Sequence, residues 1–277
     1  MKRIDTHQHL WDLQQFPYSW CAGLPALNRS FLLADYQAAA RASGIEKTVF
    51  MECDVDEPNA LAEATHIQSL ADRHPLIAGL VAGARPERPD FPQHLAALLQ
   101  LPKLRGIRRV LHVVPDAVSQ SDLFVANLRQ LEPHGLTFDL CLLARQLPLG
   151  LRLARECPGV QFVLDHCGVP DIKGKAFDPW RAHLAELAAL PNVVCKISGI
   201  VAYADPHWTV ADLRPWVDHV VACFGWDRLV WGGDWPVCTL AASLAQWVGA
   251  SDDLFATASP EQREKVFYKN AESIYRV

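Results

Sequence analysis

No apolar run in the 277-residue chain approaches the roughly 20 residues that a membrane span needs, so a membrane protein is not expected. Neither charge sign dominates. Lys and Arg total 26 against 31 Asp and Glu, a formal charge of −5. That balance gives no basic surface for nucleic acid or an anionic membrane. The opening stretch MKRIDTHQHLWD has no apolar signal core behind its basic pair, which makes a cytoplasmic location the expectation. No two of the eight cysteines (21, 53, 141, 157, 167, 195, 223 and 238) stand at the C-x-x-C spacing of a zinc or redox site. They read as small buried hydrophobes in a reducing compartment. Internal repeats, low-complexity tracts and linkers are also missing, so residues 1–277 read as one domain.

Apolar material is plentiful: half the residues are hydrophobic and only 21% are charged, which suits a large core. Eight short β-rich runs stand out, at 3–10, 48–55, 76–83, 104–111, 136–143, 161–168, 193–200 and 228–235. Most are nearly continuous in apolar character, as strands are when helices cover both faces of a parallel sheet. Helical stripes separate them, at 34–44, 59–74, 90–101, 121–131, 148–157, 179–190 and 210–224, with a last one at 259–275. Ser259 and Pro260 mark the start of that last helix. Strict alternation of eight strands with helices favours a single (β/α)8 TIM barrel, whose usual length is about 250 residues. A glycine-rich phosphate loop after the first strand, the commonest reason to prefer an open doubly wound sheet, is absent.

Such a barrel carries its chemistry at the C-terminal ends of the strands. This sorts the eleven histidines. His66, His74, His94, His134, His183 and His219 fall on helices or their ends and read as ordinary surface residues. His207 falls in the loop after the seventh strand. His7, His9, His112 and His166 fall at strand ends. Residues two apart on a strand point the same way, so His7 and His9 are expected to face the interior together. There they must bind a metal, hold a substrate or be hydrogen bonded. The eighth strand ends in VWGGDWPV, with Asp234 after two glycines that permit close approach. Strands one and eight are neighbours in a closed barrel, so Asp234 is expected to share a volume with His7 and His9, and His166 to reach it from the sixth strand. A hydrogen-bonded network without chemistry is the competing reading.

Six segments in order along the chain resemble the amidohydrolase superfamily, in particular its lactonase-like branch of sugar-lactone, pyrone-dicarboxylate and sulfomuconolactone hydrolases. They are IDTHQHLWD at 4–12, RGIRR at 105–109, LDHCG at 164–168, CKISG at 195–199, WGGDWPV at 231–237 and KNAESIY at 269–275. The resemblance implies that His7, His9 and His166 are active-site histidines and that Asp234 activates water. It places Arg108 and Lys196 at substrate-contacting positions of the mouth, with His112 beside them on the fourth strand. Two-metal members of the superfamily use a Lys or Glu on the fourth strand and a His on the fifth. The fourth strand here offers Arg108 and His112, and the fifth, LTFDLCLL, has no histidine. A single zinc on His7, His9 and Asp234 fits the pattern. Members of the branch also work without an essential metal, so the requirement stays open; no organic cofactor is implied.

The reaction these readings imply is attack of water on a lactone carbonyl. Asp234 is the general base, and the histidines or a zinc polarise the carbonyl. Trp11, Trp235, Trp20 and Trp208 lie near strand ends, either as flat walls for a ring or as packing for loops. With Glu52, Asp54 and Glu57 nearby, a neutral polyhydroxylated aldonolactone is favoured over a dianion. The alternatives are a pyrone- or muconolactone-type lactone hydrolase, a metal-dependent decarboxylase of the same superfamily, and a ligand-binding barrel without turnover. The expected partner is a small-molecule lactone. The oligomeric state stays open, a homodimer being one outcome.

Overall fold

The computed structural model describes residues 1–277. Eight strands form one parallel sheet in sequential order: β1 (Arg3–Gln8), β2 (Ile45–Met51), β3 (Ile77–Gly83), β4 (Leu104–Val110), β5 (Thr137–Cys141), β6 (Gln161–Leu164), β7 (Val193–Ile197) and β8 (Leu229–Trp231). The sheet closes on itself just past the ends of β1 and β8. There Asp234 N–H donates to His7 O at 2.8 Å and His9 N–H donates to Trp235 O at 2.9 Å. The result is a (β/α)8 barrel, as the alternation of apolar runs implies.

The ring of helices comprises α1 (Leu33–Ala39), α2 (Ala60–Arg73), α3 (Phe91–Leu98), α4 (Asp122–Leu128), α5 (Leu147–Glu156), α6 (Trp180–Ala188), α7 (Val210–Phe224), α8 (Leu244–Leu254), α9 (Pro260–Glu264) and α10 (Asn270–Tyr275). Their apolar faces join the outer faces of the strands in one large cluster of 70 buried residues. A separate cluster of nine fills the barrel interior, including Ile4, Val49, Val81, Val163, Val194 and Val230. Tyr275 and Ala271 of α10 belong to this inner cluster and stop the end of the barrel opposite the site.

Two differences from the sequence reading are instructive. The strands end earlier than their apolar runs: β6 at Leu164 rather than 168, β7 at Ile197 rather than 200, and β8 at Trp231 rather than 235. His166, Cys167, Gly168, Val169, Gly199 and Asp234 adopt positive φ, which an extended strand cannot contain. Helix α8 was not among the expected helices. Its capping box, with Ser243 accepting from Gln246 N–H, is a start signal. The last helical region begins at Ser259 as expected, and a π-turn over Lys265–Lys269 links α9 to α10. No helix is long and apolar enough to cross a membrane.

Candidate active site

The barrel seam assembles the centre of the site. His7 and His9 project side by side from β1, their rings 4.8 Å apart and nearly perpendicular. Asp234 sits on a left-handed backbone turn (φ +53°) after β8. Its Oδ1 lies 3.6 Å from the Nε2 of both His7 and His9. His166, on a left-handed turn after β6 (φ +53°), brings its ring to 4.5 Å from that of His7. The expected convergence of β1, β6 and β8 is thus present. Two glycines make room for it: a Cβ on Gly232 would lie 2.7 Å from His7 Cβ, and one on Gly199 would collide with the His166 imidazole.

Hydrogen bonds orient these rings. His9 donates Nδ1–H to Met51 O at 2.9 Å, which turns Nε2 toward Asp234. The Ser198 hydroxyl lies 2.9 Å from His166 Nδ1 and has no other partner; with that buried hydroxyl as donor, Nε2 carries the ring proton. Each nitrogen of His7 meets one cation and one carboxylate. Nδ1 is 3.3 Å from Lys196 Nζ and 3.4 Å from Asp165; Nε2 is 3.4 Å from Arg108 Nη1 and 3.6 Å from Asp234. Burial holds the pKa of His7 well below the ordinary imidazole value and lowers that of His166. Both rings are therefore neutral at physiological pH.

A cavity of about 340 Å³ opens over these groups. His9, Arg108, His112, His166 and Asp234 line it, and Trp11 forms part of its wall. The Arg108 charge is already engaged, with Nε donating to Glu52 Oε1 at 2.6 Å and Nη2 to Glu52 O at 2.5 Å. Burial and the neighbouring Arg108 lower the pKa of His112 to about 4, so this ring too is neutral. Asp54, also in the wall, pairs with Arg85 at 3.2 Å. The rest is largely apolar, with Leu24, Val113 and Leu240 at the mouth.

Three expected substrate residues lie elsewhere. Lys196 is fully buried beneath the cavity, 2.6 Å from Asp139 and 2.9 Å from Asp165. Those carboxylates raise its pKa against the effect of burial. Glu52 is buried behind Arg108. Trp235 packs its ring against Phe31 and Tyr36 in the outer core. None of the three lines the cavity. The sequence reading passed over Asp139, Asp165 and Tyr275, which with Lys196 form a polar column inside the barrel. Tyr275 O–H donates to Asp139 Oδ2 at 2.9 Å. Burial would raise the pKa of Asp165, yet Lys196 and His7 hold it well below the carboxylate range. Lone acidic residues within the runs LTFDLCLL and QFVLDHCG were the available signal.

The donor set suits one divalent cation. The ligand atoms of His7, His9 and Asp234 all lie within 4.8 Å of one another. His9 Nε2 and the Asp234 oxygen face each other at 3.6 Å, an arrangement that a shared cation or proton suits. His9 donating its other nitrogen to a carbonyl is the usual support for an imidazole ligand. The second grouping, His7, Asp165 and His166, has its carboxylate committed to Lys196.

Comparison with known proteins agrees with this geometry. The amidohydrolase family model matches residues 4–277. An L-fucono-1,5-lactonase of Burkholderia ambifaria is 32% identical, over 99% of this chain and 96% of that protein. An L-rhamnono-gamma-lactonase of Scheffersomyces stipitis is 23% identical, over 100% of this chain and 99% of that protein. The crystal structure of an amidohydrolase from Burkholderia multivorans with bound zinc superposes with a TM-score of 0.90, at 29% identity and covering 100% of both chains.

Proposed function

The chain belongs to the amidohydrolase family, and from that membership we propose that it hydrolyses the ring of a neutral, sugar-derived lactone with water activated by Asp234. The observation that carries this reading is a cavity over Asp234 and the neutral rings of His112 and His166 in which the one lining cation, Arg108, is already paired with Glu52. A dicarboxylate substrate would find no free positive charge there. A neutral aldonolactone needs none, and the names of the lactonase relatives agree with it.

Asp234 accepts a proton from the attacking water as general base. The His166 ring, with Nδ1 accepting from Ser198, offers Nε2–H to the carbonyl oxygen and stabilises the tetrahedral oxyanion. Arg108 and the buried column keep His7 in place beneath the reacting carbon. A single zinc ion, held by His7, His9 and Asp234, would supply Lewis-acid polarisation and acidify water. The eight unbridged cysteines support a cytoplasmic setting.

A pH-indicator hydrolysis assay over a panel of aldonolactones and a pyrone dicarboxylate, run before and after metal removal, tests this reading. The expected result is turnover of neutral lactones at least about tenfold above the dianion. Preference for the dianion, or inactivity toward every lactone, rejects it. Activity that survives metal removal assigns the chemistry to the side chains alone.

A further inference from the structure

Opening a lactone leaves an alkoxide, a poor leaving group that needs a proton as the ring C–O bond breaks. The polar groups around the cavity are mostly engaged. His9 Nδ1 is bonded to Met51 O, Arg108 to Glu52, Asp54 to Arg85, and His112 Nδ1 lies 3.3 Å from Cys141 Sγ. Tyr203 differs. It ends the short helical turn Ile200–Tyr203 after β7, and its ring lies in the cavity wall 6.3 Å from that of His166. The hydroxyls of Tyr18, Tyr36 and Tyr275 each donate to a carboxylate. That of Tyr203 donates to nothing in the protein, although the ring is mostly enclosed.

Resting on the lactone-hydrolase reading, we propose that Tyr203 is a catalytic residue that donates its hydroxyl proton to the departing ring oxygen. Water adds its oxygen to the carbonyl carbon while Asp234 takes the water proton. The tetrahedral intermediate then collapses: the bond from carbon to ring oxygen breaks, its electron pair stays on that oxygen, and the Tyr203 proton moves onto it. The proton on Asp234 returns through solvent to the Tyr203 oxygen, and the new carboxylic acid releases its own proton to solution. Burial, with Cys141 and Asp234 nearby, raises the pKa of the Tyr203 hydroxyl. It therefore stays protonated at neutral pH and gives up its proton only to a strong base such as an alkoxide.

Tyr203→Phe keeps the ring and removes the proton. The test compares this variant with the wild type on an aldonolactone, which releases an alkoxide, and on an aryl lactone such as dihydrocoumarin, which releases a phenolate and needs no acid. The expected result is a fall in kcat of about 10²-fold on the aldonolactone, with KM little changed, and less than about threefold on the aryl lactone. Equal losses on both substrates, or no loss on either, overturn the assignment. A wild type that opens neither lactone overturns the hydrolase reading and this role together, and is distinct from an active wild type beside an unimpaired variant.

Discussion

Asp234 holds its carboxylate on a left-handed turn whose N–H is bonded to His7 O, so the proposed base and its neighbouring imidazole share one backbone anchor. Asparagine tolerates the same φ and is nearly isosteric. Asp234→Asn is therefore expected to fold normally while losing about 10²-fold or more in kcat, because an amide cannot accept the water proton. Steady-state kinetics beside a thermal melt measure both, and near wild-type turnover would remove Asp234 as base. At this scale the sequence was informative about identity but poor about height. The convergence of His7, His9, His166 and Asp234 was legible because imidazoles and a carboxylate are costly at the ends of apolar strands unless they find partners. Lys196 was misplaced because the period of two indicates that a side chain points inward without saying how far along the axis it lies. Its level, just above Val194, is set by pairing with Asp139 of β5 and with Asp165 just after β6.

Helix α10 ties the far end of the barrel to this centre. Tyr275 stops the interior and its hydroxyl supports Asp139, which holds Lys196, which meets both Asp165 and His7. Tyr275→Phe leaves the plug in place but deprives a fully buried carboxylate of a donor, a loss worth about 1–3 kcal/mol of stability. Urea unfolding reads it directly; an unchanged midpoint would mean that Asp139 does not depend on that hydroxyl. The strands were legible because burial on both faces writes continuous hydrophobic runs. Their C-terminal limits were not. Non-glycine residues at positive φ, such as His166, Cys167, Val169 and Asp234, look like ordinary strand residues in sequence. Helix α8 was passed over although Ser243 and Gln246 form a capping box at its start.

Across the whole molecule, burial decides the protonation of the site. His7, His112 and His166 all have pKa values lowered by desolvation, that of His112 to about 4. His7 and His166 must be neutral for the proposed chemistry, and each of the three takes up a proton only once the pH falls through its lowered value. Acidification to the ordinary imidazole value, near 6.5, therefore finds these three rings still mostly uncharged. The acid limb of kcat/KM is expected to lie below that range. A profile from mildly alkaline to acidic pH checks this, and a limb centred on the ordinary histidine value would show at least one essential ring to be solvated.

The two backbone hydrogen bonds that join Asp234 to His7 and His9 to Trp235 have a consequence beyond architecture. The zip that shuts the cylinder is also the mount for the groups proposed to carry the chemistry, so the frame and the candidate site are fastened by the same bonds. Heat, denaturant or a chain break that parts the first staves from the last disarms the reaction in the same stroke.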